Sequence, residues 1–166
     1  MAFSKKPPAK TALVYAVDLL AARPYSTKQL YDKLVRHGYT SEETDEAMSR
    51  LLARHYLDDA DLCRRQCAMY LSEARRSVQA IKYKLREKGF DNEDIESSIE
   101  TSFDESGTDT AAYEYDVCLR LLRGHFRPSS AEKQKCLAYL YRKGFSSSAI
   151  RAAVEDFMAE CAGSGE

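Results

Sequence analysis

The 166-residue sequence predicts an all-α fold of three tandem three-helix, helix-turn-helix-like modules that form an elongated, curved array. The first observation is an internal repeat: a leucine, three further residues, a glycine and an aromatic occur in this order three times. The second is the helical spacing of apolar residues on both sides of each glycine. The third is the absence of alternating strand patterns and of Asn-Gly hairpin signals. The three copies read LYDKLVRHGYTSEET (30–44), IKYKLREKGFDNEDI (81–95) and CLAYLYRKGFSSSAI (136–150).

The glycine of each copy is predicted to end a helix. Gly38, Gly89 and Gly144 each follow a potential cation and precede an aromatic residue. Glycine adopts the left-handed conformation that follows a helix C-terminus, the aromatic can pack back on the helix, and a cation there suits the helix dipole. The cations before the glycines therefore need no functional explanation.

A new helix is predicted to begin shortly after each glycine, where Thr40, Asp91 and Ser146 can act as N-caps. A further amphipathic helix precedes each copy, and Ser26 to Gln29 form a capping-box pattern at the start of the first copy. An i, i+4 spacing predicts the buried stripe of each helix that follows a glycine. These stripes are Thr44, Met48 and Leu52; Ile95, Ile99 and Phe103; and Ile150, Val154 and Met158.

Breaks between these patterns divide the chain. We predict modules at residues 11–57, 58–106 and 107–160, with flexible segments at 1–10 and 161–166. A three-helix unit of roughly 50 residues buries little apolar surface by itself. We therefore expect successive modules to pack against their neighbours.

Composition excludes several classes of protein. A net charge of −1 and a pI near 6.3 argue against a protein that coats nucleic acid through overall positive charge. The sequence has no apolar run close to the roughly 20 residues that span a membrane, and its N-terminal segment lacks the apolar region of a secretory signal. Five cysteines without a C-x-x-C pair fit reduced thiols. The expected location is the cytoplasm.

No catalytic or metal-binding constellation stands out. Cys63 and Cys67 share a helical face, but the four ligands of a closed zinc site are missing and both cysteines fall on the apolar stripe. No glycine-rich phosphate loop is present, and Asp58-Asp59 fits a helix N-terminus better than an acid/base pair. We expect core packing for the cysteines, no metal, no cofactor and no enzymatic activity.

Charge is segregated along the chain. Residues 64–88 carry eight cations and two acids, whereas residues 91–116 carry acids and no lysine or arginine. The basic run fits either a solvated face that complements the acidic segment or a surface that docks on acidic protein or on DNA phosphates. The candidate partner-binding residues are Arg64, Arg65, Arg75, Arg76, Lys82 and Arg86.

A family resemblance covers nearly all of residues 11–158. It is carried by the segments STKQL (26–30), KL (33–34), GY (38–39), YLDDADLC (56–63), IKYKLREKGFDNEDI (81–95), EKQKC (132–136) and KGF (143–145). In this order they resemble the RecX regulatory protein family, which modulates the RecA recombinase in recombination and DNA repair. The sequence departs from the family at His55, where glycine or asparagine is usual, at Leu62-Cys63, where an aromatic and alanine are common, and at Thr44, where an aliphatic residue is expected.

The resemblance implies a monomeric regulator that binds the RecA filament on single-stranded DNA, in its helical groove. It implies altered filament stability and inhibition of ATP hydrolysis and strand exchange, with at most weak direct contact to DNA. It supplies no catalytic residues. A helix-turn-helix protein that reads duplex DNA without RecA is the alternative, because three-helix modules with a short turn also describe that class.

Overall fold

The computed structural model describes residues 9–163, and within this range the secondary structure is entirely helical. The predicted all-α fold is confirmed. The flexible segments predicted at the termini lie largely outside the described residues; α9 continues past residue 161 because Cys161 still packs against the core of its module. The helices are α1 (Ala12–Ala22), α2 (Thr27–His37), α3 (Ser41–Ala53), α4 (Asp59–Glu73), α5 (Val78–Glu87), α6 (Asn92–Ser106), α7 (Thr110–His125), α8 (Lys133–Arg142) and α9 (Ser147–Gly163), with a 3₁₀ turn at Pro128–Ser130.

The helices group in threes. The most extensive contacts join α1 to α3, α4 to α6 and α7 to α9, and contacts between helices of different groups are few across residues 9–163. Each group has its own cluster of buried side chains. We refer to α1–α3, α4–α6 and α7–α9 as modules 1, 2 and 3; the residue limits predicted for the modules remain a prediction.

The turn after each second helix has the predicted form. The φ angles of Gly38, Gly89 and Gly144 are 111°, 88° and 77°, all in the left-handed region. At Gly89 the following amide, that of Phe90, donates to the Leu85 carbonyl (3.3 Å), which is the Schellman pattern. The aromatic residues after the three glycines are buried. The predicted helix ends are confirmed.

The predicted buried stripe is correct at its first two positions in each module and weaker at the third. Leu52 is 46% exposed, whereas its neighbour Leu51 is 1% exposed, so the assignment of Leu52 to the core is wrong. Two i+4 steps on a 3.6-residue helix rotate a side chain by about 80° away from the starting direction. Phe103 and Met158, at the same position of modules 2 and 3, are only partly buried for the same reason.

Two departures from the family pattern have local structural effects. His55 ends the first module with a φ of 55°, a left-handed conformation that glycine or asparagine adopts more readily. Thr44 is fully buried, and its hydroxyl has no hydrogen-bond partner. An aliphatic residue would fill this position without burying a polar group.

Successive modules meet at two joints of the same design. At the first joint, between modules 1 and 2, Ser26 caps α2 by accepting a backbone N–H, and its hydroxyl donates to the Lys88 carbonyl at the end of α5. At the second joint, between modules 2 and 3, Ser77 caps α5 and donates to the Lys143 carbonyl at the end of α8 (2.8 Å). One hydroxyl thus satisfies an amide of one helix and a carbonyl of the next, two groups that helix ends leave unpaired.

The joints line up the second helices of the three modules. The C-terminus of α8 meets the N-terminus of α5, and the C-terminus of α5 meets the N-terminus of α2. Partial charges of opposite sign meet at each joint, which favours this order. In module 3 the residue equivalent to the two serines is Glu132, which makes no side-chain cap. The connecting serine therefore occurs in modules 1 and 2 and is replaced by glutamate in module 3.

We predict that Gly89 tolerates a side chain less well than Gly144. Alanine at either position forces a positive φ, at a cost of about 1–2 kcal/mol. A Cβ at Gly89 would also lie 2.4 Å from Cβ of Lys28, an atom that cannot swing away, whereas a Cβ at Gly144 would meet nothing closer than 3.4 Å. Urea denaturation should show a free energy of unfolding at least about 1 kcal/mol lower for Gly89→Ala than for Gly144→Ala. Equal losses would show that the first joint is not packed as described.

Candidate partner-binding groove

A groove of about 480 Å³ lies at the second joint, between α5 and the end of α8. Its lining carries five cations and no acidic side chain, and we call it the cationic groove. Tyr83, which is 60% exposed, adds an aromatic surface. The lining residues are Arg75, Arg76, Gln79, Ala80, Tyr83, Lys84, Arg142, Lys143 and Gly144.

The two walls of the cationic groove come from different modules. Arg75 and Arg76 lie in the turn before α5, and Lys84 lies on α5. Arg142 and Lys143 end α8 and belong to module 3. The bond from the Ser77 hydroxyl to the Lys143 carbonyl brings these walls together, although its two residues are 66 positions apart in the chain.

Local contacts hold several of these cations without neutralising the groove. Arg76 pairs with Glu73, and its guanidinium lies 5.0 Å from the ring centroid of Tyr70. Nζ of Lys84 lies 3.4 Å from a carboxylate oxygen of Glu87, a distance typical of a weak exposed pair. Neither acid lines the groove. An anionic ligand would therefore meet positive charge on both walls.

The equivalent surface at the first joint is filled and mixed in charge. Lys28 occupies the repeat position of Gln79, and its side chain packs over Gly89. Nζ of Lys28 also lies 3.5 Å from Asp32 on the same helix. At the second joint Gln79 leaves Gly144 uncovered, since its Cβ would lie 4.0 Å from a Cβ placed there. The start of α2 therefore lies closer to Gly89 than the start of α5 lies to Gly144, and the second joint is the more open of the two.

The six residues predicted from the sequence lie on separate surfaces. Only Arg75 and Arg76 line the cationic groove. Arg64 and Arg65 both pair with Asp61 on α4. The other two lie between α5 and α6: Lys82 pairs with Glu96 (2.5 Å), and Nε of Arg86 donates to Oδ1 of Asn92 (2.8 Å). Of these four contacts, that of Lys82 with Glu96 fits a charged face that complements the acidic segment 91–116; Arg64 and Arg65 pair with an acid of their own helix, and Arg86 contacts a neutral amide.

Lys84, Arg142 and Lys143 were not among the predicted site residues. Lys143 was predicted only as the cation at a helix end, where cations are common, and Arg142 was not singled out. Their position across from Arg75 depends on a hydrogen bond between modules. The repeat itself could have identified them. Gly144 marks the end of α8, and the residues just before this glycine are those that meet the start of α5.

The third helix of each module is a poor surface for duplex DNA. In helix-turn-helix domains of three helices the third helix enters the major groove, and cations contact the phosphates around it. Here α6 has six acids and no lysine or arginine, α3 has four acids and one arginine, and α9 has three acids and one arginine. This charge distribution disfavours the helix-turn-helix alternative.

The cysteines lie in the module cores. Cys63, Cys67, Cys118 and Cys136 are buried, and Cys161 is partly exposed. Burial raises the pKa of the Cys67 thiol to about 11 and that of Cys118 to about 12, so both stay protonated near neutral pH.

Among residues 9–163 no group of three potential ligands could hold a metal ion. Over the same range no helix has the length and apolar character needed to cross a membrane.

We predict that the native protein reacts with thiol reagents at Cys161 alone. Burial and a raised pKa both suppress the thiolate that such reagents attack. Titration with a chromogenic disulfide at pH 8 should release about one equivalent from the folded protein, and all five thiols should react in guanidinium. Rapid native-state reaction of Cys63 or Cys67, especially after a chelator is added, would contradict core packing.

These observations define a tandem array of three-helix modules with a cationic groove between the second and third. Comparison with known proteins agrees: the profile of the first three-helix domain of RecX matches residues 12–51, and that of the third domain matches residues 112–154. The chain belongs to the RecX family of regulatory proteins.

Individual relatives support the assignment along most of the chain. The regulatory protein RecX of Thermotoga maritima is 31% identical over 145 residues, which cover 86% of this chain and 81% of the relative. The protein of the same name from Bacillus licheniformis is 30% identical over 142 residues, and this chain spans only 53% of its length. The relative from Vibrio vulnificus is 27% identical, with 90% and 95% of the two chains covered.

Solved structures share the fold. The crystal structure of RecX from Lactobacillus salivarius has a TM-score of 0.68 at 17% identity and covers 88% of this chain and 94% of its own. A second crystal structure of a regulatory protein RecX has a TM-score of 0.70 at 21% identity, with 87% and 70% covered. At these identities the likeness shows a common fold.

Proposed function

We propose that this protein is a regulator that binds the RecA filament on single-stranded DNA and inhibits its ATP hydrolysis, strand exchange and growth. Membership of the RecX family is the observation that carries the proposal. The chain acts as a monomer in the cytoplasm, lies along the helical groove of the filament and contacts more than one protomer. A linear array of modules suits this geometry, because stacked helical repeats present an extended surface.

The cationic groove is the surface through which we propose docking. Five cations on two walls, without an acid in the lining, favour a partner surface that carries carboxylates or phosphates. Such contacts are weakened by salt, since exposed charges are screened and bound phosphates release counterions. The remaining predicted residues, Arg64, Arg65, Lys82 and Arg86, already contact neighbouring side chains of the same module. We propose for them a secondary role in docking.

Regulation through binding is the proposed mode of action. The relatives are named regulatory proteins, and the buried cysteines have raised pKa values that oppose nucleophilic chemistry. The residues that could change RecA activity are therefore those that contact the filament. No cofactor or metal enters the proposal.

We predict that charge reversal on both walls of the groove weakens inhibition of RecA. Arg75→Glu combined with Arg142→Glu changes one exposed cation on each wall. The protein concentration that halves the DNA-dependent ATPase of RecA should rise by about tenfold or more, which corresponds to a loss of at least about 1.4 kcal/mol of binding free energy. Helicity and melting temperature should change little, because exposed substitutions usually shift stability by no more than about 0.5 kcal/mol.

Arg64→Glu with Arg65→Glu is the matched control, with the same change in net charge on the exposed side of α4. It should retain most of the inhibition. Equal loss in both double variants would show that binding follows net charge, and the groove assignment would fail. Indifference of RecA to an excess of the unaltered protein would overturn the proposed function. A preference of roughly a thousandfold for one duplex sequence would favour the helix-turn-helix alternative.

A further inference from the structure

Glu114 is a buried carboxylate at the second joint. It lies on α7 and is 3% exposed. One of its oxygens accepts the N–H of Val78 (3.1 Å), and the other accepts the N–H of Ser146 (2.9 Å). A single side chain therefore joins α7 to two segments that are distant from each other in sequence.

The two amides lie beside the two walls of the cationic groove, one next to each wall. Val78 is the first residue of α5 and is separated from Arg75 and Arg76 only by Ser77. Ser146 closely follows Lys143 and Gly144 at the end of α8. The neighbouring residue on α7, Tyr113, donates its hydroxyl to the Arg76 carbonyl (3.1 Å). Two consecutive side chains of α7 thus make hydrogen bonds to backbone groups that lie beside the groove.

The first joint has a smaller version of this contact. The N–H of Thr27, the first residue of α2, donates to Oδ1 of Asp59 (2.8 Å). Asp59 lies at the start of α4 and is partly exposed, whereas Glu114 lies one turn into α7 and is buried. Loss of its hydrogen-bond partner costs a buried donor more free energy than it costs an exposed donor. The contact at the second joint therefore constrains the two segments that it joins more strongly.

We propose that Glu114 is a positioning residue that holds the two walls of the cationic groove at a fixed separation. It accepts one backbone N–H from the segment next to each wall and does not itself line the groove. Its importance for partner binding rests on the function proposed above; its effect on the separation of the walls does not. Glutamine is the informative replacement, because its amide group has one acceptor oxygen and would direct an N–H towards one of the two backbone donors.

The test is a distance measurement between spin labels, made without RecA. Labels attached through Tyr83→Cys on α5 and Tyr141→Cys on α8, both on exposed side chains, report the second joint. A pair at Val35→Cys on α2 and Tyr83→Cys reports the first joint, and Cys161→Ser removes the reactive native thiol. Glu114→Gln should broaden or shift the 83–141 distance distribution and leave the 35–83 distribution unchanged. Asp59→Asn is the matched control and should leave the 83–141 distribution unchanged.

An unchanged 83–141 distribution in Glu114→Gln would overturn the inference, as would equal broadening at both joints. If Glu114→Gln lowers helicity, Glu114→Asp replaces it: this carboxylate is one methylene shorter, so it should still broaden the 83–141 distribution alone. The unlabelled Glu114→Gln variant should inhibit RecA more weakly while its helicity is unchanged. Full inhibition by a variant whose 83–141 distances are altered would show that partner binding does not need this separation of the walls. If the unaltered protein has no effect on RecA, the proposed function fails, and the distances still decide the role of Glu114.

Discussion

The array depends on one kind of contact between modules. A serine hydroxyl at the start of the second helix of one module donates a hydrogen bond to a carbonyl at the end of the second helix of the next module. Ser26 and Ser77 each satisfy an amide of their own helix and a carbonyl of the following module. These groups would otherwise be unpaired at a buried helix end. Both serines are fully buried, so each joint excludes water around the bond. This contact joins the end of α5 to the start of α2 and the end of α8 to the start of α5.

Function is proposed for only one of the two joints, and the difference between them is small in sequence. Lys28 packs over the glycine of the first joint and carries a neighbouring acid, whereas Gln79 leaves the second joint open between cations. The repeat thus supplies the same serine contact twice, whereas the spacing of the segments and the charges beside that contact differ between the two joints. The buried carboxylate of Glu114 adds a constraint at the joint that is open to a partner.

Local features of the fold could be predicted from the sequence, and contacts between modules could not. The turn at Gly89 and the capping box at Ser26 depend on residues within one turn of a helix. The local sequence pattern is therefore enough to predict them. The exposure of Leu52 was missed because a strict i, i+4 stripe drifts around the helix. Arg142 was missed as a site residue because only the packing of module 3 on module 2 brings it opposite Arg75.

Amide hydrogen exchange on the complex with RecA and single-stranded DNA tests the central claim most directly, because it maps the docking surface on the unaltered protein. The account predicts slower exchange in the segments that form the cationic groove, residues 75–84 and 139–146, with little change on the acidic helix α6. Slower exchange confined to α6 or α3, with the groove segments unchanged at saturating RecA filament, would contradict it.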